Sequence, residues 1–250
     1  MKVLKDIPYS SYEVCKLDLY LPDEVKEPPV YIYIHGGGLE AGYKTDVPNL
    51  FEGLLKNGVA VVSMDYRMYP TATFPDYLYD VSMAIKWVTE YGKEYGLGNV
   101  VVGGSSAGGY ISMMLYFNPE YYREAGVEPT QIKGYIFDAG QPTCHYNYLK
   151  YDKREDPRRV MIDESAPLFY LVKEYENPEK EPHIMITCAE LDMVNRREQL
   201  QVLHTAMLHF KFPEEKLIFK CYARETHCSY IYKDIYVQDT LEFIRKVDVM

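Results

Sequence analysis

A short β-branched run, Val100-Val101-Val102, passes through two glycines into Ser105-Ser106-Ala107-Gly108-Gly109 and then into the helical stretch Ala107 to Tyr116. The pattern G-x-S-x-G falls on Gly104-Ser105-Ser106-Ala107-Gly108, centred on Ser106. A strand that turns at once into a helix holds its central residue in a strained conformation. The flanking backbones come close, so small residues are needed two places before and two places after. The hydroxyl is left exposed at a helix N-terminus, where the dipole favours developing negative charge. Ser106 is therefore a candidate nucleophile. A glycine-rich connection would give the same five residues without chemistry; the strand before and the helix after raise the pattern above that alternative. Ser105 lacks such a frame and reads as structural.

The rest of the chain fits the same architecture. Apolar runs alternate with helical patterns, as parallel βαβ units do. Strands are expected at Tyr12 to Leu21, Val30 to Ile34, Val59 to Met64, Val100 to Val102, Ile132 to Phe137, His183 to Cys188 and Leu217 to Tyr222. Helices are expected at Val47 to Lys56, Pro75 to Tyr91, Ala107 to Tyr116, Met193 to Phe210 and Tyr232 to Val247. Residues 141–182 are rich in charge, proline and aromatics and have no clear period; they read as an insertion and a candidate small cap. The expectation is one α/β domain over residues 1–250, with a mostly parallel sheet flanked by helices on both faces. Ligands of such sheets bind beyond the carboxyl ends of the strands.

Composition narrows the function classes. The net charge is -10 with no basic stripe, which disfavours nucleic acid and anionic membranes as partners. Asp6 and Pro8 interrupt the N-terminus before an apolar stretch can form, so no signal peptide is expected. No run of about 18 apolar residues suggests a spanning helix. The five cysteines (Cys15, Cys144, Cys188, Cys221, Cys228) are scattered without a CxxC pair, and free thiols in a reducing cytoplasm are the expectation. Metal sites and cofactors are not expected. The sequence does not fix an oligomeric state; a homodimer is one candidate.

The strand Val30 to Ile34 is followed by His35-Gly36-Gly37-Gly38. Acyl transfer creates a tetrahedral oxyanion, best stabilised by N–H groups fixed in advance. Consecutive glycines let the chain turn such groups inward, so Gly37 and Gly38, with Ala107, are the candidate oxyanion hole. His35 reads as a brace for that loop. A phosphate loop is a poor alternative, because neither G-x-x-x-x-G-K-[ST] nor G-x-G-x-x-G occurs.

His35 to Gly38, Asp65-Tyr66-Arg67-Met68-Tyr69-Pro70 leading to Phe74-Pro75, and Gly104 to Gly109 together resemble the hormone-sensitive-lipase-like branch of the α/β hydrolases. That branch includes bacterial carboxylesterases and carbohydrate acetyl esterases. The resemblance runs from about Tyr9 to the C-terminus. It implies an α/β-hydrolase fold, structural roles for Tyr66 and Arg67, and support of the loops near Ser106 by Asp80. Long cap helices found at the N-terminus of many relatives have no counterpart before the first strand. Leu39 stands where many relatives carry a bulky aromatic. Both departures imply an open site.

In this fold the acid and then the histidine follow the nucleophile in chain order. The loop after His183 to Cys188 reads Ala189-Glu190-Leu191-Asp192-Met193-Val194, and Asp192 matches the family's pattern, with Glu190 as runner-up. A helix N-cap is the plain alternative for Asp192. The loop after the last strand supplies His227, and no other histidine occurs in it. His183, His204, His209 and His145 lie in a strand, a helix or the insertion. Cys228 beside His227 has no activating frame. Tyr146, Tyr148, Tyr151, Tyr170 and Tyr175 in the insertion offer faces for sugar rings, but compositional bias with core and rim packing is the favoured reading of such residues.

These expectations describe a serine carboxylesterase acting on a small-molecule ester, short-acyl or carbohydrate-borne. An amide hydrolase with the same triad is the competing enzymatic reading. A non-catalytic binding protein on this scaffold is the third, disfavoured by the presence of all three triad residue types.

Overall fold

The computed structural model describes residues 1–172 and 174–248. Within them one sheet contains β1 (Lys2–Pro8), β2 (Lys16–Leu21), β3 (Val30–Ile34), β4 (Ala60–Met64), β5 (Val100–Ser105), β6 (Ile132–Asp138), β7 (His183–Leu191) and β8 (Leu217–Thr226). The helices are α1 (Pro48–Lys56), α2 (Asp76–Tyr91), α3 (Ala107–Phe117), α4 (Glu120–Ala125), the single turn α5 (Tyr146–Tyr148), α6 (Arg196–His209) and α7 (Asp234–Asp248). The strand order is β1-β2-β4-β3-β5-β6-β7-β8. β2 runs antiparallel to both β1 and β4, and every later neighbouring pair is parallel. This is the α/β-hydrolase fold, as the sequence led us to expect.

All five residues of β3 and all five of β4 are buried, because helices cover both faces of the sheet. The alternation along β3 is instead between two helical layers. Ile32 and Ile34 pack among residues of α2, α3 and α6, such as Leu78, Ile111 and Leu203. Tyr31 and Tyr33 face Phe51 and Leu54 of α1 and Phe243 of α7. Each fully buried side chain of this kind contributes about 1.5–3 kcal/mol relative to exposure.

The boundaries differ from expectation where pairing or loop chemistry overrides pattern. β1 is absent from the pattern because KVLKDIP mixes charge and apolar residues at a sheet edge. Its register slips between Leu4 and Ile7, where Asp6 takes a φ of 55° and gives its N–H to the Asp18 carboxylate at 2.8 Å. β2 starts at Lys16 rather than Tyr12, since the preceding residues form a turn closed by Tyr9 N–H to Cys15 O. β5, β7 and β8 all extend farther toward their carboxyl ends than their apolar cores suggest. α6 starts at Arg196 rather than Met193, because residues 192–195 form the turn that carries Asp192. The six-residue α4 is too short to leave a period of its own.

The described residues of 141–182 hold only short turns: α5, a π-type turn at Leu149–Lys153, and 3-10 turns at Pro167–Tyr170 and Pro178–Lys180. Lys173 lies outside the described residues. The α5 end of this segment meets the glycine loop that follows β3.

Candidate active site

Ser106 stands at the junction of β5 and α3 with φ 56° and ψ −112°, a conformation that L-residues rarely adopt. Two close approaches impose it. A Cβ at Gly104 would lie 2.2 Å from Ile34 O, and one at Gly108 would lie 1.9 Å from the same oxygen. Only glycine lets α3 start this near β3. The Ser106 N–H donates to Asp138 O at 2.8 Å, and its carbonyl accepts from Tyr110 N–H at 2.9 Å. The side chain is left to point outward at the helix N-terminus.

The turn after β8 brings His227 over this point. Its Nε2 lies 2.9 Å from Ser106 Oγ, and its Nδ1 lies 2.6 Å from Asp192 Oδ1. With the proton on Nδ1, that nitrogen donates to the carboxylate and Nε2 accepts from the serine hydroxyl. The Asp192 side chain is 1% exposed. It also accepts the N–H of Met193 at 2.7 Å and of Ala189 at 3.2 Å. Burial pushes its carboxyl up, but the His227 hydrogen bond and charge, with the two N–H groups, outweigh this and hold it below its ordinary value. The helix N-cap is Asn195, so Asp192 does not cap α6. Glu190 faces another way: its carboxylate accepts Arg224 N–H at 2.6 Å and ties the β7 and β8 ends together.

The glycine loop abuts the turn that carries Ser106. A Cβ on Gly36 would sit 2.9 Å from Ser105 O and 3.3 Å from Ser106 Cβ. Gly37 and Gly38 have φ of 99° and 67°. No described residue accepts a hydrogen bond from the N–H of Gly37, Gly38 or Ala107. For Ala107 this follows from its place as first residue of α3, where helical N–H groups lack intrahelical acceptors. His35 is buried, donates from Nδ1 to Gly36 O at 2.7 Å, and stacks on Tyr66 at 4.3 Å between ring centroids. Burial lowers its pKa, so it remains a neutral brace. The Tyr66 hydroxyl donates to His35 O at 2.9 Å. Arg67 pairs with buried Asp80 at 2.8 Å, and the Asp80 carboxylate also takes the Arg67 N–H at 3.0 Å.

Several residues of the site have no motif to announce them. Asn147 Nδ2 donates to Gly38 O at 2.5 Å and to Glu40 Oε2 at 2.8 Å, bracing the glycine loop from the insertion. The Tyr146 hydroxyl lies against Gly38, where a Cβ would stand 2.1 Å from it. Arg196, 4% exposed, donates to Ala139 O at 2.5 Å and to Gln141 Oε1 at 3.1 Å. Asp138 is fully buried and its main-chain oxygen accepts the Ser106 N–H. Of the other tyrosines in the insertion, Tyr151 stacks on Tyr69, while Tyr148 meets Phe74, Tyr170 meets Phe169 and Tyr175 meets Phe212 edge to face. His145 is buried and accepts Asn147 N–H, and His204 packs on Phe219, not on Ser106, Asp192 or His227.

The BD-FAE family model matches residues 17–131, which carry β2 to β5, the glycine loop and Ser106. A probable isoprenylcysteine alpha-carbonyl methylesterase of Oryza sativa subsp. japonica is 32% identical over 142 residues, 54% of this chain and 34% of the relative. Esterase LipI of Mycobacterium tuberculosis is 37% identical over 97 residues, 38% of this chain and 30% of the relative. The chain thus spans about a third of the length of these curated relatives. Among solved structures, a truncated carbohydrate esterase from gut microbiota superposes with a TM-score of 0.83 at 19% identity, covering 100% of this chain and 97% of that one. A thermophilic esterase of Thermogutta terrifontis gives 0.78 at 16% identity, covering 98% and 94%. At these identities the structural likenesses establish the fold.

Proposed function

Starting from a chain with the α/β-hydrolase fold, we propose that it is a serine carboxylesterase hydrolysing small or short-acyl esters through an acyl-enzyme on Ser106. The observation that carries this reading is the continuous hydrogen-bond chain Ser106 Oγ–His227–Asp192, at 2.9 and 2.6 Å. The matches to proteins named esterases support it, as does the BD-FAE match to residues 17–131, which bear the glycine loop and Ser106.

In this reading His227 Nε2 takes the Ser106 proton as Oγ attacks the ester carbonyl. Asp192 holds the imidazole tautomer and stabilises the imidazolium that forms. The unpaired N–H groups of Gly37, Gly38 and Ala107 receive the oxyanion, each contributing about 3 kcal/mol to the transition state. His227 then protonates the leaving alkoxide. Water, activated by the same imidazole, attacks the acyl carbonyl and releases the acid.

The test is hydrolysis of p-nitrophenyl acetate, butyrate and octanoate by wild type and by Ser106→Ala. Turnover by wild type that is lost in the variant supports the reading, and a preference for acetate fits the short-acyl class. Acetylated carbohydrates are the first natural esters to assay, given the fold likeness, over 100% of this chain, to a truncated carbohydrate esterase. Equal inertness of both proteins on every ester would overturn it.

A further inference from the structure

Asp138, the last residue of β6, is a carboxylic side chain with no exposed surface and no part in the proton chain from Ser106 to Asp192. Its contacts reach the segments bearing all three of those residues. The main-chain oxygen of Asp138 accepts the Ser106 N–H at 2.8 Å, and across the β5–β6 register Asp138 stands beside Ser105. Side-chain Oδ1 accepts the Thr187 hydroxyl at 2.5 Å. Thr187 lies on β7, two residues before Ala189, whose N–H holds Asp192. The same Oδ1 accepts the Tyr230 hydroxyl at 2.5 Å. Tyr230 belongs to the 3-10 turn Ser229–Tyr232, which Cys228 alone separates from His227, and is fully buried, stacked on Tyr222.

We infer that Asp138 is a positioning residue that fixes the relative placement of Ser106, the Asp192 loop and the His227 turn, an inference that rests on the serine-hydrolase reading above. A buried carboxyl is costly unless it is well bonded. A hydrophobic residue at the end of β6 would fill the core, but it would leave β7 and the His227 turn without a shared anchor. Both of its hydroxyl donors come from segments that carry a member of the triad. Because the nucleophile and base must meet within tenths of an ångström, small drift between these segments lowers the rate of attack without changing ester binding.

The experiment uses Tyr230→Phe and Thr187→Val, each of which removes one donor while preserving shape, together with Asp138→Asn and Asp138→Ala. For each variant, kcat and KM on p-nitrophenyl acetate are measured beside the rate of Ser106 labelling by a fluorophosphonate, with folding checked by circular dichroism. The inference predicts that Tyr230→Phe and Thr187→Val each lower kcat and labelling together by about tenfold with KM nearly unchanged. It also predicts that Asp138→Asn, which keeps an acceptor oxygen, retains more activity than Asp138→Ala. Wild-type kcat and labelling rates in folded Tyr230→Phe and Thr187→Val would overturn it, whatever their melting temperatures, because a purely structural role would move stability alone. If Asp138→Ala does not fold, the two donor variants still decide. A wild-type protein that neither turns over the ester nor takes the probe would remove the serine-hydrolase reading, and the inference with it.

Discussion

His227 Nε2 lies 2.9 Å from Ser106 Oγ although 121 residues separate them in the chain. β6 and β7 stand between β5, which delivers the serine, and β8, which delivers the histidine. The meeting depends on the loops at the carboxyl ends of these strands, and on the Asp192 loop of β7 that orients the imidazole from the other side.

Asp192→Asn keeps the shape of the side chain but can donate to Nδ1, which favours the wrong imidazole tautomer. We expect kcat on p-nitrophenyl acetate to fall on the order of 10⁴-fold with folding intact. Steady-state kinetics check this, with Glu190→Gln as comparison. Because the Glu190 carboxylate binds Arg224 N–H and not His227, that variant should change kcat far less.

The depressed pKa of Asp192 also has a thermodynamic consequence. Its folded value lies below the ordinary 3.8, so the unfolded chain takes up the proton first as pH falls. The stability it contributes is therefore full above 3.8 and is lost as pH drops through the lower folded value. Thermal melts across the acid range should show a weaker acid loss for Asp192→Asn than for wild type.

Asn147→Ala should reach the reaction through the glycine loop. Losing the bond to Gly38 O frees the loop that presents the candidate oxyanion donors. We expect a kcat lower by roughly 10- to 100-fold with KM little changed, since the oxyanion exists only in the transition state. Paired kcat and KM measurements would show it.

Gly108→Ala tests the packing beneath Ser106. The new methyl would meet Ile34 O at 1.9 Å, and neither backbone can yield without moving Ser106. A cost of about 3 kcal/mol is expected, which for a chain of this size lowers Tm by roughly 6–12 °C. Calorimetry measures it directly.

Much of this architecture was legible in sequence because strong local rules agree with it. The apolar run of β3, the helix of α2 and the G-x-S-x-G turn each have a period or a steric requirement that few alternatives satisfy. Ser106, Asp192, His227, Gly37, Gly38 and Ala107 were all nominated from motif and chain order, and the fold gathers them at one end of the sheet. β1 was missed because its pairing with β2, not its own composition, makes it a strand. The late start of α6 was missed because the turn at 192–195 satisfies its backbone through the Asp192 side chain. Asn147, Arg196 and Asp138 carry no local signature, since their partners lie 109, 57 and 92 residues away. Long-range hydrogen bonds of this kind appear only once the chain is folded.

The proposed reaction runs through an acyl-enzyme on Ser106. The most direct measurement is rapid acid quenching of wild type during p-nitrophenyl acetate turnover, followed by digestion and mass spectrometry. A single acetyl group is expected on the peptide bearing Ser106, absent in Ser106→Ala. Turnover with the acetyl group on another residue, such as Cys228, or turnover that survives in Ser106→Ala, would contradict it.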